Sequence, residues 1–487
     1  MRRSVLLVLA AALGAFAADG ALPITDSPKA AGRGGASLAL AEDAFALLSN
    51  PAGLGAFEDA RADLSLGFYT AQDSYTNALN HGEAVRHFPL PGPALAFAQR
   101  IDDDLALGAS FEPVSGGGGS ATFVTGAFPG GERETSNLLV LGLSVGGAFR
   151  IRPDLSVGLS LTGLSASLDQ KGLVGGSGGG QTAGLVRNFT NGQLDATDPY
   201  FRVNGQPISW GALLARAGTP GASSSAIADV SGATGWGGQA TLGVAWRLCD
   251  EISLGAAYAT PGWLTPLEGR ATLDASAAGA QSSGALDAIQ SDFLSHHLPR
   301  GGDLVSRYSA RLSGLSLPQT AGVGIAFWPL PSLLLAADLK WLGWRLAFDT
   351  VTVHLQHGTG QDLAEITSDQ LSSGIRSRVL LRWHDQLALS LGATFAPVEW
   401  LRLRVGYHYA NDPAPQRTEG PFTPVTVEHH ATLGLGLQLG PVSFDAAWIH
   451  AFARTTTIER SGVSSDWDGI RHKADQDAFL IGGGVDF

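Results

Sequence analysis

From residue 61 to the last residue the chain alternates, with a period of two, between large apolar side chains and small or polar ones. Leu64, Leu66 and Phe68 alternate with Ser65 and Gly67, and Leu139, Leu141, Leu143 and Val145 with Gly142, Ser144 and Gly146. Ala321, Val323, Ile325 and Phe327 do the same with Gly322 and Gly324, as do Leu433, Leu435, Leu437 and Leu439 with Gly434, Gly436 and Gln438. A period of two sends successive side chains to opposite faces of a β-strand. A soluble sandwich alternates too, but its polar face is charged and solvated. Here the second face is rich in Gly, Ser and Ala, and only 15% of residues are charged, against about 25% in ordinary soluble domains.

The connections narrow the architecture. Strands read at 63–71, 93–100, 105–112, 138–150, 155–168, 233–248, 252–275, 317–328, 332–348, 384–395, 400–411, 426–439, 442–454 and 477–487 give 14 in all. Tight links at Ile101–Asp104, Ile151–Asp154, Cys249–Glu251, Pro329–Pro331, Ala396–Glu399 and Gly440-Pro441 alternate with longer ones, the longest at 169–232 and 276–316. Short turns at one end and long loops at the other mark an outer-membrane barrel, and closure removes the edges that lipid does not tolerate. Pro261 and Pro266 make 252–275 a kinked strand or two elements. Trp246, Trp328, Trp341, Trp344, Trp400, Trp448, Tyr407 and Tyr409 lie near strand ends, where an aromatic belt belongs. Phe479, Ile481, Val485 and Phe487 carry the alternation to the terminal residue, as a closing strand with the aromatic end of a barrel-assembly signal does.

Residues 1–17 read as a secretory signal. Arg2 and Arg3 are basic, Val5–Leu13 is apolar, and Ala15-Phe16-Ala17 is a cleavage site. The apolar run is too short for a membrane anchor. A single cysteine, Cys249, rules out an internal disulfide framework, and the net charge of −13 disfavours nucleic acid as a partner.

Between signal and strands, residues 30–54 form the one early stretch with helical spacing, at Leu40, Ala44, Leu47 and Leu48. The helix expected over 39–48 stops at Asn50-Pro51, because Pro lacks an N–H and moves its predecessor out of the α region. A compact segment ahead of so many strands is expected to act as a plug. In the long loops, Trp210, Leu213 and Leu214 share one helical face, and Leu286, Ile289, Phe293, Leu294 and Leu298 another. These faces either pack on each other or present a greasy docking surface for a ligand. Gly-rich 172–184 and 115–120 read as mobile, and strands 93–100 and 105–112 are the thinnest part of the expected wall.

Catalytic chemistry finds no support. Gly142-Leu143-Ser144-Val145-Gly146 matches G-x-S-x-G, but that nucleophile needs a strand-to-helix turn and this serine lies within an alternating strand. His429-His430 are strand neighbours on opposite faces, so they do not chelate together. No metal and no cofactor is expected. With the apolar faces toward lipid, the inward polar set holds Asp338, Lys340, Arg402, Arg404, His408, His430 and Asp445. Arg402 and Arg404 share a face. They either pair with Asp338 or Asp445, or neutralise a ligand carboxylate.

Gly32-Arg33-Gly34-Gly35-Ala36, Glu42-Asp43-Ala44 and Asn50-Pro51-Ala52-Gly53-Leu54 resemble the N-terminal hatch of the FadL outer-membrane transport family. Leu317-Pro318-Gln319, Ala336-Ala337-Asp338-Leu339-Lys340-Trp341, Trp383-His384-Asp385 and Leu403-Arg404-Val405-Gly406-Tyr407 extend the resemblance. It implies an all-β fold, a 14-stranded antiparallel transmembrane β-barrel plugged by a small N-terminal helical hatch. The divisions are then a signal at 1–17, a hatch at 18–60, and a barrel at 61–487. It also implies passive uptake of hydrophobic small molecules, long-chain fatty acids first and aromatic hydrocarbons second, across the outer membrane of a Gram-negative bacterium. Capture falls to the loops at 169–232 and 276–316. Release is lateral, through a wall opening at a kink in the third strand, beside Asn50, Pro51 and Ala52. The implied partners are the ligand, outer-membrane lipid and lipopolysaccharide, and the barrel-assembly machinery, with the barrel a monomer. Some family members serve as adaptors in secretion, so an outer-membrane scaffold without transport is the alternative. The Arg and Lys that would hold a fatty-acid head group are not matched by motif.

Overall fold

The structure is a computed structural model and describes residues 18–87, 92–124, 128–175, 199–203, 206–209, 224–274, 305–359, 375–418, 427–460 and 468–487. The expected signal peptide and the capture residues Trp210, Leu213, Leu214, Phe293, Leu294 and Leu298 lie outside these residues.

The barrel has 14 antiparallel staves. In order they are β1 (Arg61–Thr76), β2 (His81–His87 and Gly92–Arg100), β3 (Leu105–Phe123), β4 (Glu132–Arg152) and β5 (Leu155–Gly175). Next come β6 (Ser224–Cys249), β7 (Ile252–Ala259, Trp263–Leu264 and Leu267–Asp274), β8 (Val305–Ser313 and Thr320–Leu330) and β9 (Leu333–Leu342 and Thr350–Thr359). The last are β10 (Ile375–Leu380 and Gln386–Val398), β11 (Leu401–Ala410), β12 (His429–Leu439), β13 (Val442–Ile458) and β14 (Ile470–Asp486). β14 pairs with β1 from Asp486↔Arg61 to Arg471↔Thr76, and the Phe487 amide donates to the Ala60 carbonyl at 2.9 Å. The terminal residue thus takes part in closure. The tight links fall at one end, as the spacing predicts.

The outward face is the large apolar one. Leu143, Val145, Leu161, Val323, Val405 and Ile481 are more than half exposed. Trp236, Trp263 and Trp400 are equally exposed at the margins of this belt. Two tryptophans leave the expected girdle: Trp328 packs from the inner face against the cluster of Ala36 and Leu40, and the other is Trp344. It is fully buried, 5.0 Å from Trp383 and 4.9 Å from Phe348 by ring centroids, inside the barrel.

Three further expectations change. Residues 115–120 are strand rather than a mobile link. β3 runs on to Phe123, with a bulge between Pro113 and Ser115. The kink in β7 at its two prolines is one of four. β8, β9 and β10 break at the same level, at 314–319, 343–349 and 381–385. Side-chain amides satisfy backbone groups there: Gln239 donates to the Thr260 carbonyl at 2.8 Å and Gln386 to that of Asn411 at 2.8 Å. A broken ladder in a membrane wall needs such substitutes.

The helix expected over 39–48 shrinks to Ala46–Ser49, preceded by turns and by a short helix at Pro28–Ala31. The cause is tertiary. Asp63 takes the Ala44 amide at 2.8 Å, which a helix over 39–48 would give to Leu40, and Asp338 fixes the approach through the amides of Ser37 and Leu38 at 2.7 and 3.0 Å. A fixed barrel carboxylate thus competes with the intrahelical bonds of a segment whose helical preference is only a weak prior.

Candidate functional site: a lumen filled by the N-terminal segment

Residues 19–56 run inside the barrel against its small-residue face. Only glycine fits at these contacts. A Cβ on Gly158 of β5 would overlap the Ala52 amide, and one on Gly255 of β7 the Leu38 carbonyl. One on Gly392 of β10 or Gly406 of β11 would overlap the Arg33 backbone, and one on Gly434 of β12 would lie 2.9 Å from the Gly32 Cα. The glycine-rich second face of the sequence is therefore the track on which the N-terminal segment lies.

Polar groups fix the segment at intervals. Thr432 accepts from the Gly34 amide at 2.9 Å and donates to the Gly32 carbonyl at 3.0 Å. Ser156 donates to the Ala52 carbonyl at 2.8 Å. Asp63, which holds the Ala44 amide, is itself gripped by Arg61 through Nε and Nη2, each at 2.8 Å. Arg404 meets Asp445 at 2.7 Å with both side chains buried, and Lys29 approaches the other Asp445 oxygen at 3.8 Å. Arg33 pairs with Glu42. Two of the expected polar lumen residues are thus committed to structure: Arg404 to Asp445, and His408 to Asp19 at 2.7 Å and Ser390 at 3.0 Å. Lys340 and Arg402 are half-buried on the inner face.

The arrangement tunes the carboxyls of the segment. Burial pushes Asp26 up to about 8, and the charge of Glu112 adds to it. Burial also raises Asp43, to about 6, against the pull of Lys29. Burial opposes ionisation of Glu42, but Arg33, Arg404 and Lys29 outweigh it and hold this carboxyl at about 2. Burial opposes ionisation of Asp19, but His408, Lys340 and His430 together outweigh it and hold this carboxyl below its ordinary value.

Asn50 is 1% exposed and makes three bonds. Its amide donates to the Leu38 carbonyl at 2.7 Å and to that of Val244 on β6 at 2.9 Å, and its oxygen accepts from the Ala52 amide at 3.2 Å. It caps the short helix Pro51–Ala56. The structure therefore places Asn50, Pro51 and Ala52 against β5 and β6, not beside the third strand. It is Leu47 and Leu54, farther along, that reach β3 at Gly108.

Toward the long-loop end the lining changes. Leu138 and Val140 of β4, Leu164 and Leu168 of β5, Tyr308 and Leu312 of β8, and Val351 and Val353 of β9 form one apolar cluster with Trp344, Phe348 and Trp383. Ala21 of the N-terminal segment belongs to it. The inward face is thus small and polar near the tight turns and apolar near the loops. Along β4 this is visible as Leu138 and Val140 giving way to Gly142, Ser144 and Gly146. Ser144 bonds Glu112 at 3.0 Å and Thr162 at 2.8 Å inside a strand, so the G-x-S-x-G match carries no nucleophile.

Among the described residues, one seam in the wall has a gap in its ladder. β2 pairs with β3 from Arg100↔Ala106 to Leu95↔Phe111, and again at His87↔Gly119 and Arg86↔Ser120. Between them, residues 112–118 of β3 have no ladder partner on the β2 side among the described residues. The seam begins about 23 Å along the strand from the tight turn, within the roughly 30 Å of hydrocarbon. Unpaired backbone at that depth is tolerated only where it faces protein or a cavity. The N-terminal segment lies behind it, where Ser115 donates to the Ala21 carbonyl at 2.8 Å.

Sequence reasoning missed Asp19, Asp26, Asp63, Ser156, Thr432 and Glu112. The available signal was weak. Each is one polar residue on a strand's small face or in the N-terminal segment, and only the register shows what it meets.

A barrel with a greasy exterior, closed inside by its own N-terminal segment, is an outer-membrane transport channel. The chain belongs to the family described as outer membrane protein transport protein (OMPP1/FadL/TodX), whose model matches residues 8–487. That family is one of transport proteins, not enzymes, of the Gram-negative outer membrane. The fold is similar to that of the Pseudomonas putida toluene transporter TodX (TM-score 0.69, 20% identity, covering 96% of this chain and 98% of that one). It is also similar to the Ralstonia pickettii toluene transporter TbuX (0.64, 19%, 95% and 98%) and to a Pseudomonas aeruginosa FadL homologue (0.67, 16%, 96% and 100%). No curated protein sequence matches the chain.

Proposed function

We propose that the protein carries small hydrophobic compounds passively across the outer membrane, uncharged aromatic hydrocarbons ahead of long-chain fatty acids. Ligand enters at the long-loop end, meets the apolar lining around Trp344, Phe348 and Trp383, and leaves sideways through the seam between β2 and β3. The seam carries this reading. Among the described residues, Gly92, Pro93 and Ala94 of β2 pair with β1 but not with β3, and an unpaired edge at hydrocarbon depth costs free energy that a purely structural barrel has no reason to retain. The order of ligands rests on charge. Arg404 and His408, two buried members of the expected polar lumen set, already bond carboxylates. A fatty-acid carboxylate reaching them must displace a buried partner, whereas toluene has no such need. The toluene transporters among the similar structures point the same way. Asn50, Pro51 and Ala52 then hold the hatch in place rather than touch the ligand.

The test is uptake into liposomes. Reconstituted barrel is expected to speed toluene entry more than oleate entry. Equal flux with and without protein overturns transport and favours the scaffold alternative. Faster oleate entry overturns the order of ligands.

A further inference from the structure

Immediately above its apolar belt, the outward face of the barrel gathers four arginines on β7–β10. On β7–β10, beyond the breaks, the inward residues Ala271, Tyr308, Ala310, Leu312, Val351, Val353 and Val379 are buried. Their alternates face outward, and they include Arg270, Arg307, Arg311 and Arg378, all exposed, with half-buried His354. The register brings them together. Arg270 lies opposite Ser309, so Arg307 and Arg311 are its two diagonal neighbours on the same face. Arg311 lies opposite His354, and Arg378 opposite Thr352, one step diagonal to His354. Diagonal neighbours on one face stand about 7–8 Å apart.

The acids on and beside this face are Glu268, 3.6 Å from Arg311, Asp274 at its top, and exposed Asp229 of β6, opposite Thr272 and diagonal to Arg270. Arg270, Arg307 and Arg378 have no hydrogen bond or ion pair among the described residues. Like charges gathered on one sheet face destabilise it unless something neutralises them. They are gathered here in a chain where 44 acids outnumber 31 Lys and Arg.

Height identifies the counter-charge. The apolar belt ends on this side at Trp236 of β6 and Trp263 of β7, both more than half exposed, with ring centroids 5.4 Å apart. Glu268 lies opposite Thr234, two residues above Trp236, and Arg270 lies opposite Ser231. At about 3.3 Å per residue on a strand tilted by roughly 40°, Arg311, opposite Glu268, stands roughly 5 Å above the belt, Arg270 roughly 13 Å and Arg307, opposite Thr272, roughly 18 Å. This is the long-loop end, so the leaflet is the outer one. A partner must be immersed in lipid and carry phosphate just above the hydrocarbon.

We propose that the outward face of β7–β10 is a docking site for the phosphorylated head of the outer-leaflet glycolipid, lipid A with its inner core, held by Arg270, Arg307, Arg311 and Arg378. Arginine suits this role because its planar fork takes a phosphate bidentately. Direct arginine–phosphate bonds need no divalent bridge, so the glycolipid stays bound in EDTA.

The test uses the full barrel in nonionic detergent with EDTA, and native mass spectrometry with lipid A as probe. Bisphosphorylated lipid A is expected to bind wild type about tenfold more tightly than fully dephosphorylated lipid A. The variant R270Q/R307Q/R378Q is expected to lose that preference. The variant R471Q/K473Q, on exposed β14, is expected to keep it. Equal binding of the two lipids by wild type overturns the proposal, and so does unchanged preference in the triple variant. If the triple variant does not assemble, the wild-type comparison alone decides. Displacement of lipid A by millimolar inorganic phosphate overturns the glycolipid as occupant.

Discussion

Asn50→Ala isolates what holds the hatch. The substitution removes three buried hydrogen bonds, to Leu38, Val244 and Ala52, without touching any barrel ladder. The Leu38 carbonyl and the Ala52 amide lose their side-chain partner where little water enters, and the helix Pro51–Ala56 loses its cap. Such a loss costs about 2–4 kcal/mol, since a cap alone is worth about 1 and a stranded buried polar group about 1–3. If hatch and barrel open independently, that is roughly a 30- to 700-fold rise in hatch opening. Native-state hydrogen exchange reads it directly. Amides of residues 28–56 are expected to exchange faster by that factor, while those of β11–β14 stay as in wild type. The barrel still migrates as a heat-modifiable band, and transport slows because the displaced segment blocks the path. Unchanged exchange in the hatch refutes the clamp. Loss of the heat-modifiable band shows instead that Asn50 is needed to build the wall.

Two further outcomes follow from the same contacts. Gly255→Val puts a branched side chain where the Leu38 carbonyl sits, so the hatch is expected to become protease-sensitive in an assembled barrel; protection equal to wild type counts against the glycine track. Docking of the hatch also depends on pH. Asp26 and Asp43 hold their protons in the docked state up to about 8 and about 6. A free hatch releases them near the ordinary value, so the docked state binds more protons and weakens as pH rises from about 4 toward 8. Glu42, held at about 2, works the other way: its contribution is complete above its ordinary value and is lost as pH falls toward 2. The urea midpoint for hatch release, read by a spin label at exposed position 58, is expected to be higher at pH 5 than at pH 8. A higher midpoint at pH 8 contradicts this.

Much of the wall was legible in the sequence. Leu139 through Val145 alternate because one face meets lipid, and a period of two needs no knowledge of the partner strand. Gly440-Pro441 and the other tight links mark one end for the same local reason. Phe479, Ile481 and Val485 mark the last strand by the same alternation, and β14 does pair with β1. The hatch was legible as a plug at 30–54, but its helix was overstated, because helical spacing at Leu40, Ala44 and Leu47 does not show that Asp63 takes the Ala44 amide first.

Other features were decided only by the closed structure. Trp344 and Trp246 look alike as aromatics near strand ends, yet Trp246 is exposed and Trp344 is buried in the lumen, because β9 breaks just before it. Gly158, Gly255 and Gly406 read as a small face, but that they form a track for the hatch depends on which strands closure brings around it. Arg270, Arg307 and Arg378 come from three separate staves and make one basic face only through register. By itself the sequence determined the strands, their faces and the end at which they turn tightly, since these are local periodicities. Tertiary structure decided where the hatch is fixed, where the wall is unpaired and where charge gathers, since each depends on residues brought together from distant parts of the chain.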